Sequence, residues 1–243
     1  MINKKGEITT AQIVTIIVLI VSFIVILFFF FRLNLGATTN SEICHNSVVL
    51  KAKSVGISGD LKCKTDYVCI SGGGTCADMN PTETVNVDSN SKDEIMNAIA
   101  DKMADCWWMF GEGKMNYGDK GIIGSGGCAL CSVVAFDEKA SGNSITYSEF
   151  YNYLANTKKD EAQTYLVYLY EAYDADTLAE QYPILKINAG NNILGSEKFG
   201  IVTGYNTGLA WGIFGGNGIM PVSYLRTDRI SPELQCSNFI TEA

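Results

Sequence analysis

Histidine is almost absent from this chain. The one histidine, His45, lies beside Cys44. A Ser-His-Asp triad or a histidine-rich metal centre therefore has a single candidate imidazole at most, and we interpret His45 as a surface or structural residue. The sequence also has neither Gly-x4-Gly-Lys-Ser/Thr nor a properly spaced Gly-x-Gly-x2-Gly after a strand, so no phosphate-binding loop is predicted. It has no Asn-x-Ser/Thr sequon either.

Basic charge is scarce after Arg32. Residues 33–243, here called the body, carry 15 basic and 25 acidic side chains, a formal net charge of −10. Nucleic-acid phosphates are bound by clustered Lys and Arg, which the body lacks, so we predict no nucleic-acid partner. Anionic lipid headgroups would repel such a surface too. An acidic surface of this kind mainly keeps an exposed domain soluble.

Charge, glycine and proline are all missing from residues 13–31, where only Thr15 and Ser22 are polar. A helix of nineteen residues reaches roughly 28 Å at about 1.5 Å per residue, close to the thickness of a bilayer's hydrocarbon core. A backbone exposed to lipid must satisfy its own polar groups, which favours helix. We therefore predict a single transmembrane helix, Ile13 to Phe31, as the membrane partner of the chain.

The flanks of this run predict its orientation. Lys4 and Lys5 precede it, against Glu7, and Arg32 alone follows it. This bias favours a cytoplasmic N-terminus and an extracytoplasmic body. All of the cysteines follow the run: Cys44, Cys63, Cys69, Cys76, Cys106, Cys128, Cys131 and Cys236. An even number in an oxidising compartment predicts a disulfide framework, whereas the alternative is a set of buried thiols in a cytosolic domain.

The first residues carry a short leader pattern. Lys4, Lys5 and Gly6 are followed by Glu7-Ile8-Thr9-Thr10-Ala11-Gln12 and then by the apolar run. This pattern resembles the class III signal of archaeal type IV pilin-like precursors. The resemblance implies cleavage between Gly6 and Glu7, with the apolar helix kept in a filament or as an anchor. A plain uncleaved anchor is the alternative.

The body carries a second resemblance. The segments Cys-Trp-Trp-Met-Phe-Gly-Glu-Gly-Lys at 106–114 and Cys-Ala-Leu-Cys at 128–131 are similar to segments of membrane-anchored proteins from small-genome archaea. That resemblance implies no activity.

Five segments are expected along the chain: a cytoplasmic N-terminus or leader (1–12), the transmembrane helix (13–31), a linker (32–43), a cysteine-rich β segment (44–90) and an α+β part (91–243). In the cysteine-rich segment, strands are predicted over 47–53 and 66–71, before a turn at Gly72-Gly73-Gly74. Disulfides should hold this segment because it has few large apolar side chains. Zinc is the competing interpretation of its four cysteines, but the Cys-x2-Cys pairs of a zinc site are absent there.

A core helix is predicted to begin at Ser91. Ser91-Lys-Asp-Glu94 is a capping box, apolar residues recur every three or four positions up to Phe110, and Gly111 suits a left-handed C-cap. Trp107 and Trp108 lie at the end of this helix, and one of them must point away from its apolar stripe. That tryptophan is a candidate contact for a partner or a sugar, and packing under the next loop is the alternative.

Residues 111–127 hold seven glycines and are predicted to form a loop. Cys128-Ala-Leu-Cys131 then leads into a buried strand at 132–136. A thioredoxin-like pair would instead sit at a helix N-terminus, so structural disulfides are favoured, with Cys106 as one candidate partner. Cys236 is expected to bridge back to the body, and at least three bridges are expected in all.

The remainder alternates helix and strand. A capping box at Thr146-Tyr-Ser-Glu149 predicts a second core helix. Residues 164–173 fit either a strand or a helix. Strands are predicted over 184–189, 198–205 and 209–214, and Pro221 and Pro232 punctuate the tail. Asp174, Asp176 and Glu180 lack the pattern of a calcium loop and are interpreted as a solvated face.

The sequence predicts an α+β fold, with two core helices against a mainly antiparallel sheet. Glu112, Asp119, Asp137 and Glu138 lie near glycine-rich loops, where a carboxylate pair for sugar hydrolysis is conceivable, but any acidic domain offers such pairs. No catalytic, cofactor-binding or metal-binding residue is predicted. Two hypotheses stay open. One is an anchored surface or pilin-like protein that contacts itself or another surface protein, and the other is a displayed thiol-disulfide or hydrolytic enzyme.

Overall fold

The structure is a computed structural model, and it describes residues 10–32, 39–53, 60–117, 126–181, 190–206, 219–234, 236 and 238–242. The chain divides into two units, Met1–Thr39 and Asn40–Ala243. The predicted strands over 184–189 and 209–214, residues 118–125 of the glycine-rich loop with Asp119, and the leader residues Gly6 and Glu7 lie outside the described residues.

The first unit contains helix α1, Thr10–Arg32. Twelve large hydrophobic side chains between Ile13 and Ile26 are exposed on it. The side chains of this helix are described from Gln12 to Ile26. Within the portion of the chain that is described, no helix is both long and apolar enough to cross a membrane. A helix over these residues is therefore present, and its insertion into a membrane stays a prediction.

The second unit is an α+β fold around one mixed sheet. Its first half contains α2 (Asn40–Lys53), β1 (Asp66–Ser71), β2 (Glu83–Asn86), α3 (Lys92–Met109) and β3 (Gly126–Phe136). Its second half contains α4 (Glu138–Ser141), α5 (Tyr147–Asn156), α6 (Tyr165–Tyr170), α7 (Ala175–Gln181), β4 (Phe199–Asn206), β5 (Ile219–Arg226), a 3₁₀ turn (Thr227–Arg229), α8 (Ile230–Leu234) and β6 (Asn238–Phe239).

The sheet has the order β2-β1-β3-β4-β5, and β6 pairs with the first residues of β3. β1 is parallel to both β2 and β3, and β6 is parallel to β3. Among the described strands, the β3–β4 and β4–β5 pairs are antiparallel. The sheet is therefore mixed, and the prediction of a mainly antiparallel sheet holds for β3, β4 and β5 but not for β1, β2 and β6. The cause is α3, which joins β2 to β3 as a crossover helix and so returns the chain in the same direction.

The main core lies between the sheet and helices α3, α5 and α6. It includes Ile99 of α3 and its C-cap residue Phe110, Phe150 of α5, Leu166 of α6 and Tyr224 of β5. A smaller cluster on the other face joins Cys128, Val202 and Met220 to α8. The two predicted core helices are confirmed, and the ambiguous segment at 164–173 contributes a third.

Local signals set the ends of these helices. The Ser91 hydroxyl accepts a hydrogen bond from the Glu94 amide, and Gly111 has φ +80°, the left-handed conformation that a C-cap glycine supplies. The Glu94 carboxylate accepts from the Asp88 amide rather than from Ser91. At α5 both halves of the capping box, between Thr146 and Glu149, are formed.

Two predictions before β1 are wrong. Residues 47–53 form the end of α2 instead of a strand, and residues 40–43 begin that helix instead of ending a linker. α2 buries only Cys44 and Val48, which are one helical turn apart. The strand predicted over 66–71 is confirmed as β1, and the bend at 72–74 follows it.

Candidate functional site

The eight cysteines form four disulfides: Cys44–Cys63, Cys69–Cys76, Cys106–Cys131 and Cys128–Cys236. The predicted framework is confirmed, including the bridge from Cys236 and a bridge from Cys106 into the Cys-x2-Cys segment. The four cysteines for which zinc was the competing interpretation form two separate disulfides, Cys44–Cys63 and Cys69–Cys76. The first ties α2 to the chain before β1, and the second closes the turn after β1.

Cys128 and Cys131 lie on opposite faces of the sheet. Cys131 bridges to α3 in the main core, whereas Cys128 lies in the smaller cluster on the other face. Side chains three residues apart in a strand point to opposite faces. The pairing with β4 shifts register between Leu130 and Ser132, at Cys131 itself, and Cys131 still packs in the main core. Both sulfurs belong to nearly fully buried residues. The pair therefore joins two layers to the sheet and is not arranged as a thioredoxin-like dithiol.

Trp107 and Trp108 have separate environments. Trp107 is 9% exposed, and a side chain added at Gly113 would meet its ring at 3.0 Å, so this tryptophan packs under the loop after α3. Trp108 is 37% exposed. The expectation that one of the two points away from the apolar stripe is confirmed. The role of either residue in a contact stays a prediction.

His45 holds the exposed tryptophan in place. The two rings stack with centroids 4.2 Å apart and an interplanar angle of 9°. The Nδ1 atom of His45 lies 2.8 Å from the Trp108 carbonyl oxygen. A carbonyl only accepts, so Nδ1 carries the proton in this contact. The lone histidine is thus a structural link from α2 to the end of α3, as its interpretation from the sequence proposed.

Asp137 is a buried cap. Its Oδ1 accepts from the Ala140 amide at 2.8 Å, and its Oδ2 accepts from the Gly74 amide at 2.7 Å and the Ser71 hydroxyl at 3.1 Å. Burial alone would raise the pKa of this carboxyl, but the hydrogen bonds from three backbone amides and Ser71 outweigh burial and lower it. These contacts stabilise the turn after β1 and the start of α4.

The other carboxylates considered for hydrolysis have local partners or lie apart. Glu112 accepts from Lys114 Nζ at 2.7 Å and from the Tyr168 hydroxyl at 2.9 Å. The hydrogen bond from Lys114 lowers its pKa against a smaller effect of burial. Glu138 is exposed in the first turn of α4. Among the described carboxylates, Asp137, Glu112 and Glu138 each belong to a separate helix end or loop, so their geometry does not favour a hydrolytic pair; Asp119 lies outside the described residues.

Sequence reasoning missed a row of tyrosines along α3. Tyr165 donates to Asp101 in a short hydrogen bond, and Tyr153 donates to Asn97 at 3.2 Å. Burial and the Asp101 carboxylate raise the pKa of Tyr165. Asn97 and Asp101 line an open groove of about 390 Å³ beside β2. The spacing of four between Asn97 and Asp101 places both side chains on one face of α3, and this was the signal present in the sequence. The sequence could not show that tyrosines from α5 and α6 would bind them.

A second missed feature is a cavity of about 230 Å³ between the start of α5 and the ends of β4 and β5. Tyr147 and Phe199 form apolar parts of its wall, and Arg226, Arg229 and Glu197 bring charge to it. These residues come from three separate stretches of the sequence, around 147, 197–199 and 226–229, so the fold brings the three stretches together.

Comparison with protein-family models, with curated proteins and with solved structures finds no match to this chain. Its function is therefore argued from its own residues.

Proposed function

We propose that this chain is a membrane-anchored extracytoplasmic protein with a structural or interaction role, whose body is displayed on the outer side of the cell membrane. The observation that carries the proposal is the disulfide framework: all eight cysteines follow the apolar run, and all eight are bridged. Disulfides form and persist in oxidising compartments. A body held by four of them fits the outside of a cell better than its cytosol.

The anchor of the proposal is the run Ile13 to Phe31. Its support is the sequence, in which nineteen residues carry no charge, and helical geometry over the same residues in α1. A surface helix of a soluble domain normally shows one apolar stripe and one polar face. This helix exposes apolar side chains all round from Ile13 to Ile26, which favours a lipid environment or other apolar helices.

An interaction role is favoured over catalysis because the cysteines and carboxylates considered for chemistry serve structural roles in the described residues. Trp108, one of several exposed aromatic residues of the body, is held in place by His45 and is the one proposed to contact a partner. The partner is another surface protein or a second copy of the chain. In the more specific form of this proposal, the chain is a pilin-like subunit that is cleaved after Gly6 and whose α1 helices then pack together. Nucleic acid is not proposed as a partner.

The test of anchoring is extraction of native membranes at alkaline pH, which releases peripheral proteins and leaves integral ones in the pellet. The variant Leu19→Arg/Phe23→Arg places two charges in the run, at a cost of about 6 kcal/mol for insertion, comparable with the whole apolar gain of the run. The matched control, Ile43→Arg/Leu50→Arg, places the same charges on exposed positions of α2. We expect the wild type and the control in the pellet and the first variant in the supernatant. Wild-type protein in the supernatant would rule out the anchor.

A further inference from the structure

The body contains two arginines, Arg226 and Arg229, and both line the cavity of about 230 Å³ beside α5. Its other 13 basic residues are lysines. Arginine binds carboxylates with a planar fork of donors that lysine does not offer. Convergence of both arginines on one cavity, in a body of net charge −10, therefore calls for an explanation beyond solubility.

Ion pairs hold both guanidinium groups in position. Arg226 binds Asp228 with two parallel hydrogen bonds of 3.1 and 3.2 Å, and its Nη1 lies 3.4 Å from Glu197 Oε1. Arg229 Nη1 lies 3.6 Å from Glu233 Oε1. A guanidinium has five donors, of which these contacts on Arg226 use three. Arg226 is thus oriented at the rim of the cavity and retains donors for an anion.

The cavity also carries the opposite charge. Glu197 lines it next to Arg226, and its side chain is 49% exposed. A simple anion would be repelled by this carboxylate, whereas a ligand with an ammonium group would pair with it. A ligand that carries both charges would replace one internal ion pair with two pairs to the protein.

The rest of the wall combines polar Asn191 and Asn192 with packed side chains that include Tyr147, Phe199 and Leu225. Tyr147, Phe199 and Leu225 are nearly fully buried. The Tyr147 hydroxyl donates to the Tyr224 carbonyl at 2.9 Å, and its amide donates to the Asn191 carbonyl at 3.1 Å, so both sides of the wall are tied together. About 230 Å³ corresponds to roughly seven or eight water molecules at ~30 Å³ each, the size of a single amino acid.

From these features we infer that the cavity binds a free α-amino acid. The carboxylate of the ligand lies against Arg226 and Arg229, and its ammonium group lies against Glu197. Its side chain occupies the remaining space beside Tyr147 and Asn192, and leucine serves as the probe. A residue inside a peptide does not carry both charges, so the site selects the free amino acid. This activity does not depend on how the chain is anchored.

The experiment is isothermal titration of the full chain in mild detergent with L-leucine, with 4-methylpentanoate, which lacks the ammonium group, and with leucinamide, which lacks the carboxylate. We expect binding of leucine, and affinities at least about tenfold lower for the two analogues, the effect of losing one charge-assisted contact. Glu197→Gln and Arg229→Gln should each weaken leucine binding by about the same factor. Lys198→Gln is the matched control, since Lys198 bonds outside the cavity to the Asp78 carbonyl, and it should bind as the wild type does.

Three results would overturn the inference. The first is no leucine binding up to about 10 mM, well above the Kd of a weak small-molecule site. The second is equal binding of leucine and either analogue. The third is leucine binding that survives both Glu197→Gln and Arg229→Gln. Far-UV circular dichroism and non-reducing mass spectrometry establish for each variant that the fold and the four disulfides are intact.

Discussion

Removal of the Cys128–Cys236 disulfide tests what holds the body together. This bridge spans a sequence separation of 108, whereas the Cys69–Cys76 bridge spans 7. In the chain-entropy model the bridges contribute about 4.8 and about 2.4 kcal/mol. We therefore expect Cys128→Ala/Cys236→Ala to lower the free energy of unfolding by about 2.4 kcal/mol more than Cys69→Ala/Cys76→Ala does.

The two double variants are matched in chemistry, because each removes two sulfurs from positions that are buried or half-buried. The assay is guanidinium unfolding of the full chain in mild detergent, followed by tryptophan fluorescence, with Trp107 as a buried reporter. Mass spectrometry without reduction serves as the control that the other three bridges are intact. Equal losses for the two variants, or a larger loss for the short loop, would refute the loop-closure reasoning.

Three other predictions concern single residues. Asp137→Asn should cost about 1–3 kcal/mol at pH 7, because an amide replaces a buried carboxylate that accepts several hydrogen bonds. Folding lowers the pKa of Asp137, so its contribution is present above the ordinary carboxyl pKa and is lost as pH falls through the folded pKa. Wild type and variant should therefore converge in acid, and a gap in urea-unfolding stability that stays constant with pH would contradict this. Gly204→Ala should cost about 1–3 kcal/mol in thermal unfolding, since its Cβ would lie 2.3 Å from a backbone oxygen of β3, while Gly190→Ala, with nothing within 4 Å, should be neutral. Gly6→Val should block cleavage between Gly6 and Glu7, while the apolar run should still insert into the membrane. If N-terminal sequencing finds the wild type uncleaved, the pilin-like form is refuted and the plain anchor stands.

Helix ends were the most predictable part of the fold. The Ser91 N-cap and the Thr146 capping box mark the first residues of α3 and α5, because a cap depends on side chains within one turn of the helix. The structural role of Cys128 and Cys131 was also predictable from neighbouring residues. The residues after Cys131 have the pattern of a buried strand, whereas a redox pair would precede a helix. The partners of the cysteines were not predictable, because pairing depends on tertiary contacts.

Strand direction was not predictable from the same signals. Strand β2 is short, exposed and polar, so its sequence gave no sign that α3 connects two parallel strands. The sequence around Pro221 did not predict strand β5, because proline usually interrupts a strand. Pro221 instead lies within β5, the edge strand, where the pairing with β4 shifts register. An edge strand tolerates the missing amide at such a point.

The segment at 47–53 shows the limit of β propensity. Val48 and Val49 favour a strand, but Cys44 and Val48 face the core together one helical turn apart, and Cys44 is bridged to Cys63. The amino-acid cavity lay beyond prediction for a different reason. Its charged and aromatic residues come from the start of α5, from the chain entering β4, and from the end of β5 with the turn that follows, and no motif in the sequence connects these three stretches.

The central claim is that a disulfide-held body lies outside the cell on an N-terminal anchor. Its most direct test is labelling of intact cells with a membrane-impermeant amine reagent, followed by peptide mass spectrometry. The chain supplies its own reporters, Lys4 and Lys5 before the apolar run and the exposed Lys62 and Lys64 after it. We expect the body lysines to be labelled in intact cells, and Lys4 and Lys5 only after lysis. Body lysines that are labelled only after lysis, while a known surface protein is labelled without it, would contradict the account.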